Sequence, residues 1–288
     1  MNKGIIAINK PKDWTSFDVV NKIKHMVKPD KVGHLGTLDP MATGVLLVTV
    51  GKATKLFDIM QEKQKTYLAT FEFGYETDTL DATGKLIKSA TNLPTREEIE
   101  QILPKFIGEI DQIPPLYSAK SINGIRAYDL ARQGIEFELK SKRVQITNIE
   151  LVEYSNNKLV LQISCGSGTY IRSIGRDIAY KLNTCATMIS LVRTKIDQFS
   201  VEECYEIENI SKENINDFIL PLDKILDYEV LSLTDEEVFK ILNGQTININ
   251  KNNGNYFLKS KNEIVAIAKI DNFKAKMLIY LAWFIVNY

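Results

Sequence analysis

The chain has 288 residues, 44% of them apolar and 25% charged, which suits one large globular domain or a large one with a small companion. This usage excludes a disordered chain, a collagen-like fibre and a disulfide scaffold, and three cysteines with no C-x-x-C pair read as reduced thiols of a cytoplasmic protein. Thirty-six basic residues balance thirty-six acidic ones, so the charge total by itself argues against a nucleic-acid partner.

In chain order, Gly4–Ile8 reads as a short apolar strand stopped by Lys10-Pro11. Ser16 stands as the N-cap of an amphipathic helix carrying Phe17, Val19, Val20, Ile23 and Val27. A glycine-rich segment, 33–44, leads into the β-branched strand Val45–Val50 and a short helix ending at Met60. Thr66–Phe73 alternates as a strand, Glu76–Gly84 is rich in turn formers, and Thr95-Arg96-Glu97-Glu98 opens a helix running to Phe106. A Pro114-Pro115 turn precedes a helix over Ala127–Gln133. Val144–Tyr154 and Leu159–Ser164 form a strand pair, Tyr170–Leu182 has helical periodicity, and Met188–Phe199 returns to strand. The acidic stretch after Val201 is the candidate boundary region. Beyond Pro221, short apolar runs separated by Asn243-Gly244 and Asn253-Gly254 predict a small β-rich domain with one helix at Asp235–Leu242. The longest apolar run, Met277–Val286, is about half of a membrane span, and the opening MNKGIIAINK lacks the apolar stretch of a signal peptide, so no membrane role is expected.

The charges are unevenly placed. Residues 1–65 hold eleven lysines against six acids, and residues 142–195 hold eight basic groups against three acids, a net of +5 in each. Residues 202–237 hold twelve acids against two lysines, a net of −10. Such asymmetry is compatible with an anionic partner on one part of the surface, and equally with merely solvated charged faces.

Phosphate loops, dinucleotide-binding glycine patterns and serine-hydrolase elbows are all missing. Two histidines (His25, His34) and scattered cysteines do not make a zinc site, and Asp78, Asp81 and Gly84 lack the spacing of a calcium loop. What remains is a catalyst with few titrating groups, most plausibly a carboxylate. Asp39 is the candidate: glycines at 33, 36 and 44 allow close approach of another chain, and Pro40 biases Asp39 towards an extended presentation. Asp-Pro is also a common turn dipeptide, so the segment alone leaves both readings open.

Gly33-His34-Leu35-Gly36-Thr37-Leu38-Asp39-Pro40-Met41-Ala42-Thr43-Gly44-Val45-Leu46 resembles the signature of the TruB family, the tRNA pseudouridine-55 synthases. Ile8-Asn9-Lys10-Pro11 with Trp14-Thr15-Ser16, Gly51-Lys52-Ala53-Thr54-Lys55, Lys65-Thr66-Tyr67 and Thr77-Asp78-Thr79 with Asp81 to Gly84 continue the resemblance. So do Gln112-Ile113-Pro114-Pro115 with Tyr117-Ser118-Ala119, Gly124 with Ala127-Tyr128 and Ala131-Arg132, Cys165 to Ser173, Leu191-Val192-Arg193-Thr194 and Pro221-Leu222-Asp223. Order and spacing agree from residue 4 to about 224. Departures are Ser121 and Val192, where the family usually has a lysine and an arginine, and an apolar rather than basic tail, Met277–Tyr288.

The resemblance implies an α/β (α+β) pseudouridine synthase fold over residues 1–219, with a mixed, mostly antiparallel sheet and a central cleft. A small PUA-like RNA-binding domain would follow over 220–288. It implies isomerisation of uridine to pseudouridine in the T-loop of tRNA, with no cofactor and no metal. Asp39 would be the essential carboxylate, attacking C1′ or C6 or assisting a glycal, with Arg172 as its cationic partner. Tyr67 would pack on the uracil, Tyr170 and Leu191 would line the pocket, His34 would meet the displaced T-loop, and Lys10 would be a site-edge cation. The expected protein is a cytoplasmic monomer acting on tRNA without a guide RNA. The rivals are a non-catalytic RNA-binding protein and a guide-RNA-dependent relative.

Overall fold

In the computed structural model, which describes residues 4–28, 30–122, 124–261 and 263–281, the chain enters on β1 (Gly4–Lys10) and turns at Pro11 into α1 (Ser16–Met26). The cap of α1 is Thr15, one residue before the expected Ser16. Thr15 Oγ1 accepts from Asp18 N while the Asp18 carboxylate accepts from Thr15 N, a reciprocal capping box. β2 (Val32–His34), β3 (Thr43–Val50), α2 (Phe57–Gln61), β4 (Lys65–Phe73), the hairpin β5 (Tyr75–Thr77) and β6 (Leu86–Ser89), and α3 (Arg96–Ile102) follow. Next come β7 (Gly108–Gln112), the short strands β8 (Ser121–Ile122) and β9 (Ile125–Arg126), α4 (Ala127–Arg132), β10 (Lys142–Ser155), β11 (Lys158–Cys165), α5 (Ile171–Lys181) and β12 (Ala186–Ile196). The strand expected to reach Phe199 breaks at Asp197, whose φ of 51° turns the chain back into β13 (Phe199–Ser200).

Ten strands form one sheet in the order β14-β1-β3-β12-β4-β11-β10-β7, where β14 is Tyr205–Glu206, β2 lies on β3 and β13 on β12. The β1–β14 and β3–β12 pairs are parallel and the rest antiparallel, the mixed and mostly antiparallel α+β sheet that was expected. Strand β4 alternates, with Lys65, Tyr67, Ala69, Phe71 and Phe73 buried and the residues between them half-buried. α5 covers that buried face, and Gly175 permits the approach: a Cβ there would sit 2.2 Å from the Phe71 ring.

Strands β1 and β3 are buried on both faces, which explains their unbroken apolar runs. Ile6, Ile8, Leu46 and Val48 join the main core with Val19 and Ile23 of α1. Ile5, Ala7, Val45 and Leu47 join a second core with Leu222, Phe257, Ile267 and Ile279. Those last three belong to a five-stranded sheet, ordered β15-β17-β18-β19-β16, of β15 (Glu229–Ser232), β16 (Ile247–Asn248), β17 (Gly254–Ser260), β18 (Glu263–Asp271) and β19 (Lys274–Tyr280), with α6 (Asp235–Leu242) between β15 and β16. The acidic stretch is no free connector. Ile207, Ile210 and Ile215 pack into the main core, and Leu220 exchanges both backbone hydrogen bonds with Ile5, at 3.0 and 2.8 Å. Of the apolar tail Met277–Tyr288, residues 282–288 lie outside the described residues.

Candidate active site

The segment between β2 and β3 is anchored by its apolar residues: Leu35, Leu38, Met41 and Ala42 are buried, while the Asp39 side chain keeps 34% of its surface. A turn closed by Ala42 N donating to Asp39 O (3.0 Å) presents the carboxylate. Its two flanks are pinned by the start of the chain. Ser16 Oγ bonds both Leu38 N (2.9 Å) and Leu38 O (3.2 Å), and Pro40 O accepts from Asp13 N (2.9 Å) and Lys10 Nζ (3.1 Å). The glycine at 44 is required: its φ is 101°, and a Cβ there would lie 2.3 Å from Arg193 O, where β12 runs alongside.

The first turn of α5 brings Arg172 against this carboxylate. Nε lies 3.0 Å from Asp39 Oδ2 and Nη2 3.2 Å from Oδ1, a two-pronged contact from a guanidinium that is itself buried. Its remaining donors are used too: Nη1 donates to Thr79 O (2.9 Å) and faces Asp81 Oδ2 at 3.4 Å, and Nη2 donates to Tyr117 O (3.1 Å). Asp81 is buried, and its Oδ1 accepts from Thr79 Oγ1, Thr83 N and Thr83 Oγ1 at 2.6–3.0 Å. Leu80 beside it holds a φ of 63°, a strained conformation for a leucine. The start of α5 is also clamped. Gln112, buried, accepts from Tyr170 N at 2.8 Å and donates to Tyr170 O at 3.2 Å, and Ser173 Oγ donates to Ile113 O at 2.9 Å.

Tyr67 and Arg193 are register partners on β4 and β12, and Leu191 stands opposite Ala69, so Tyr67, Leu191 and Arg193 share the buried face below the loop. Burial raises the Tyr67 phenol above its ordinary pKa, so it remains a neutral hydroxyl at pH 7. Tyr170 is half-buried at the N-cap of α5. His34, half-buried on β2, has a pKa lowered by burial and by the nearby Arg193, so its ring is neutral at pH 7; its Nδ1 is buried with no hydrogen-bond partner.

Lys10 departs from the expected site-edge cation. It is 0% exposed, and its ammonium is enclosed by Pro11 O (2.8 Å), Trp14 O (2.6 Å) and Pro40 O (3.1 Å). Burial takes its pKa down to about 8. A lysine at the even-numbered end of β1 shares the parity of Ile6 and Ile8, which pointed inward from the start.

Asp81, Gln112 and Arg193 are buried polar residues of the motif blocks to which the sequence assigns no role. Arg193 was legible as an arginine sharing the strand parity of Leu191 in a β-branched run, although a bulge after it shifts the register before Ile196. Asp81 and Gln112 carried no such signal for their roles, since the Arg172 that pairs with Asp81 and the Tyr170 that bonds Gln112 both lie more than fifty residues away. Among the described residues no His, Cys, Asp and Glu side chains cluster closely enough to hold a metal, and no helix is long and apolar enough to cross a membrane. The arrangement offers a half-exposed carboxylate held by an arginine, above a neutral phenol and an apolar wall. It can act as a nucleophile or base on a flat, weakly polar group.

The TruB family pseudouridylate synthase N-terminal domain matches residues 24–171. The chain is 45% identical over 246 residues to a tRNA pseudouridine synthase B of Clostridium kluyveri, covering 85% of each. It is 42% identical to that of Fusobacterium nucleatum, covering 94% of this chain and 96% of the other, and 40% identical to that of Borreliella afzelii, covering 97% and 99%. Its fold is similar to a chain in the crystal structure of a Cbf5-Nop10-Gar1 complex, with a TM-score of 0.69, 23% identity, and coverage of 96% of this chain and 85% of that one. On these grounds the chain belongs to the TruB family of pseudouridylate synthases.

Proposed function

We propose that this chain isomerises uridine to pseudouridine in tRNA, at the T-loop uridine of position 55. The observation that carries the reading is the Arg172–Asp39 contact, in which two nitrogens of a buried guanidinium hold a part-exposed carboxylate. In the reaction the C1′–N1 bond breaks, the uracil turns, and a C5–C1′ bond forms. The proton lost from C5 is balanced by one gained at N1, so no oxidant or reductant is consumed. Asp39 is the reacting carboxylate, and Arg172 fixes its direction through two nitrogens. A base held in a duplex or a folded loop cannot reach Asp39, so the uridine leaves its stack at a cost of roughly a few kcal/mol. Stacking on Tyr67 offsets this by about 1–3 kcal/mol.

Residues 1–219 form the catalytic unit in this reading, and 220–288 a PUA-like module that binds structured RNA. Tyr170, Leu191 and His34 line the substrate path, and the basic segments 1–65 and 142–195 meet phosphate. The relatives named tRNA pseudouridine synthase B match nearly end to end, which supports an enzyme that works in the cytoplasm without a guide RNA. The test is incubation with an unmodified tRNA transcript alone, with pseudouridine mapped at nucleotide resolution. Conversion of the single T-loop uridine, lost in Asp39→Asn while tRNA still binds, is the expected result. Binding without modification by either protein favours a non-catalytic RNA-binding role or a missing guide. Affinity should fall steeply with added salt.

A further inference from the structure

We propose that Arg193 is a positioning residue for the isomerisation: its buried guanidinium ties together the two arms of the loop that carries Asp39, and so sets the rate of the chemical step rather than the affinity for RNA. The inference rests on reading Asp39 as the reacting carboxylate.

Arg193 is 1% exposed, among the largest fully buried side chains of the molecule. Its donors reach three backbone carbonyls, two in the loop after β2 and one near the start of β3, on either side of Asp39. Nη2 donates to Gly36 O (3.1 Å) and Nη1 to Thr37 O (3.4 Å), ahead of Asp39; Nε donates to Val45 O (2.7 Å), beyond it. The residue's main chain holds the same loop a third way, as the register partner of Gly44, where any side chain would collide with it. Lys10 bonds the loop beside Asp39 at Pro40 O. Asp39 therefore sits on a span tied before, at and after the carboxylate, and Arg193 supplies the outer ties.

Burying an arginine against neutral carbonyls carries a desolvation cost that an apolar side chain would avoid. Apolar burial along β12 is already supplied by Leu191 in the main core and Ile196 in the second core. What a methionine cannot reproduce is the planar fork that meets carbonyls on two separate arms at once. Lysine, a single point charge, reproduces it only in part.

The experiment measures single-turnover rate and dissociation constant for an unmodified tRNA transcript with Arg193→Met, Arg193→Lys and Asp39→Asn. Lys105→Met, which removes an exposed cation outside the two basic segments, is the control. Misplacement of a reacting group by about 1 Å costs on the order of 100-fold in rate. Arg193→Met is expected to lose about that much, and Arg193→Lys about tenfold, with tRNA affinity within threefold of wild type and Lys105→Met unchanged. A wild-type rate in folded Arg193→Met overturns the proposal, and so does a loss confined to affinity. If Arg193→Met does not fold, Arg193→Lys decides by the same two criteria. Asp39→Asn separates the two levels: a fully active Asp39→Asn overturns the reading of the carboxylate itself, whereas an inactive one beside a fully active Arg193→Met overturns only the positioning role.

Discussion

Arg172 grips Asp39 through two nitrogens, at 3.0 and 3.2 Å, across 133 residues of sequence. The same guanidinium faces buried Asp81 at 3.4 Å, so one cation answers two carboxylates. Arg172→Met leaves the Asp81 charge buried without its partner, which costs about 3–5 kcal/mol. Urea unfolding should register that loss. Arg172→Lys restores a charge but not the fork, and should recover most of the stability while pseudouridine formation stays at least about tenfold below wild type. Full activity in Arg172→Lys would refute the geometric role.

Asp81 does not contact Asp39; it holds Arg172 in place. Asp81→Asn keeps the shape and removes the charge, so the expected effect is a fall of about tenfold in kcat with tRNA affinity unchanged. Filter binding and single-turnover assays on the same preparation check this. An altered affinity with normal kcat would place Asp81 on the RNA instead.

Lys10 makes stability depend on alkaline pH. Burial brings its pKa from 10.5 to about 8, and Lys65 behaves alike. Between those values the unfolded chain binds more protons than the folded one, so stability rises as pH climbs from about 8 towards 10.5. Below about 8 the lysine is charged in both states and adds no slope. Urea midpoints at pH 8 and 9.5 should therefore rise in the wild type by more than in Lys10→Met. The same deprotonation leaves Lys10 two donors for three carbonyls, so kcat should decline over that range.

Gly175 sets how closely α5 lies on β4. A Cβ at 2.2 Å from Phe71 forces the helix outward, and Gly175→Ala should cost about 1–3 kcal/mol by overpacking. Because Arg172 rides on the same helix, activity should fall with it. Phe71→Leu makes room, so the double variant should be less destabilised than the two single changes added together. Strict additivity in thermal unfolding would show that the contact does not limit the helix.

Alternation and caps were readable from the chain alone because they depend on neighbours within a few residues. The period of two in Thr66–Phe73, the Thr95 capping box and the helix at Asp235–Leu242 all appear where local chemistry put them. Asp39 was legible for a different reason: three glycines and a proline around one carboxylate are an unusual local spacing, and the surrounding blocks matched a known family. Local sequence also placed Arg172 on a helix. It could not say that Thr79, Asp81 and Tyr117 would share that guanidinium, nor that Lys10 would be enclosed, nor that Arg193 would hold the loop carrying Asp39. The strand order β1-β3-β12-β4 sets Lys10 and Arg193 beside the Asp39 segment, while α5 and the turn that bridges Met188 of β12 through Asp81 bring the Arg172 partners together. A buried charge has no local signature, because what satisfies it is a carbonyl or carboxylate supplied by another strand, and only the closed sheet decides which one.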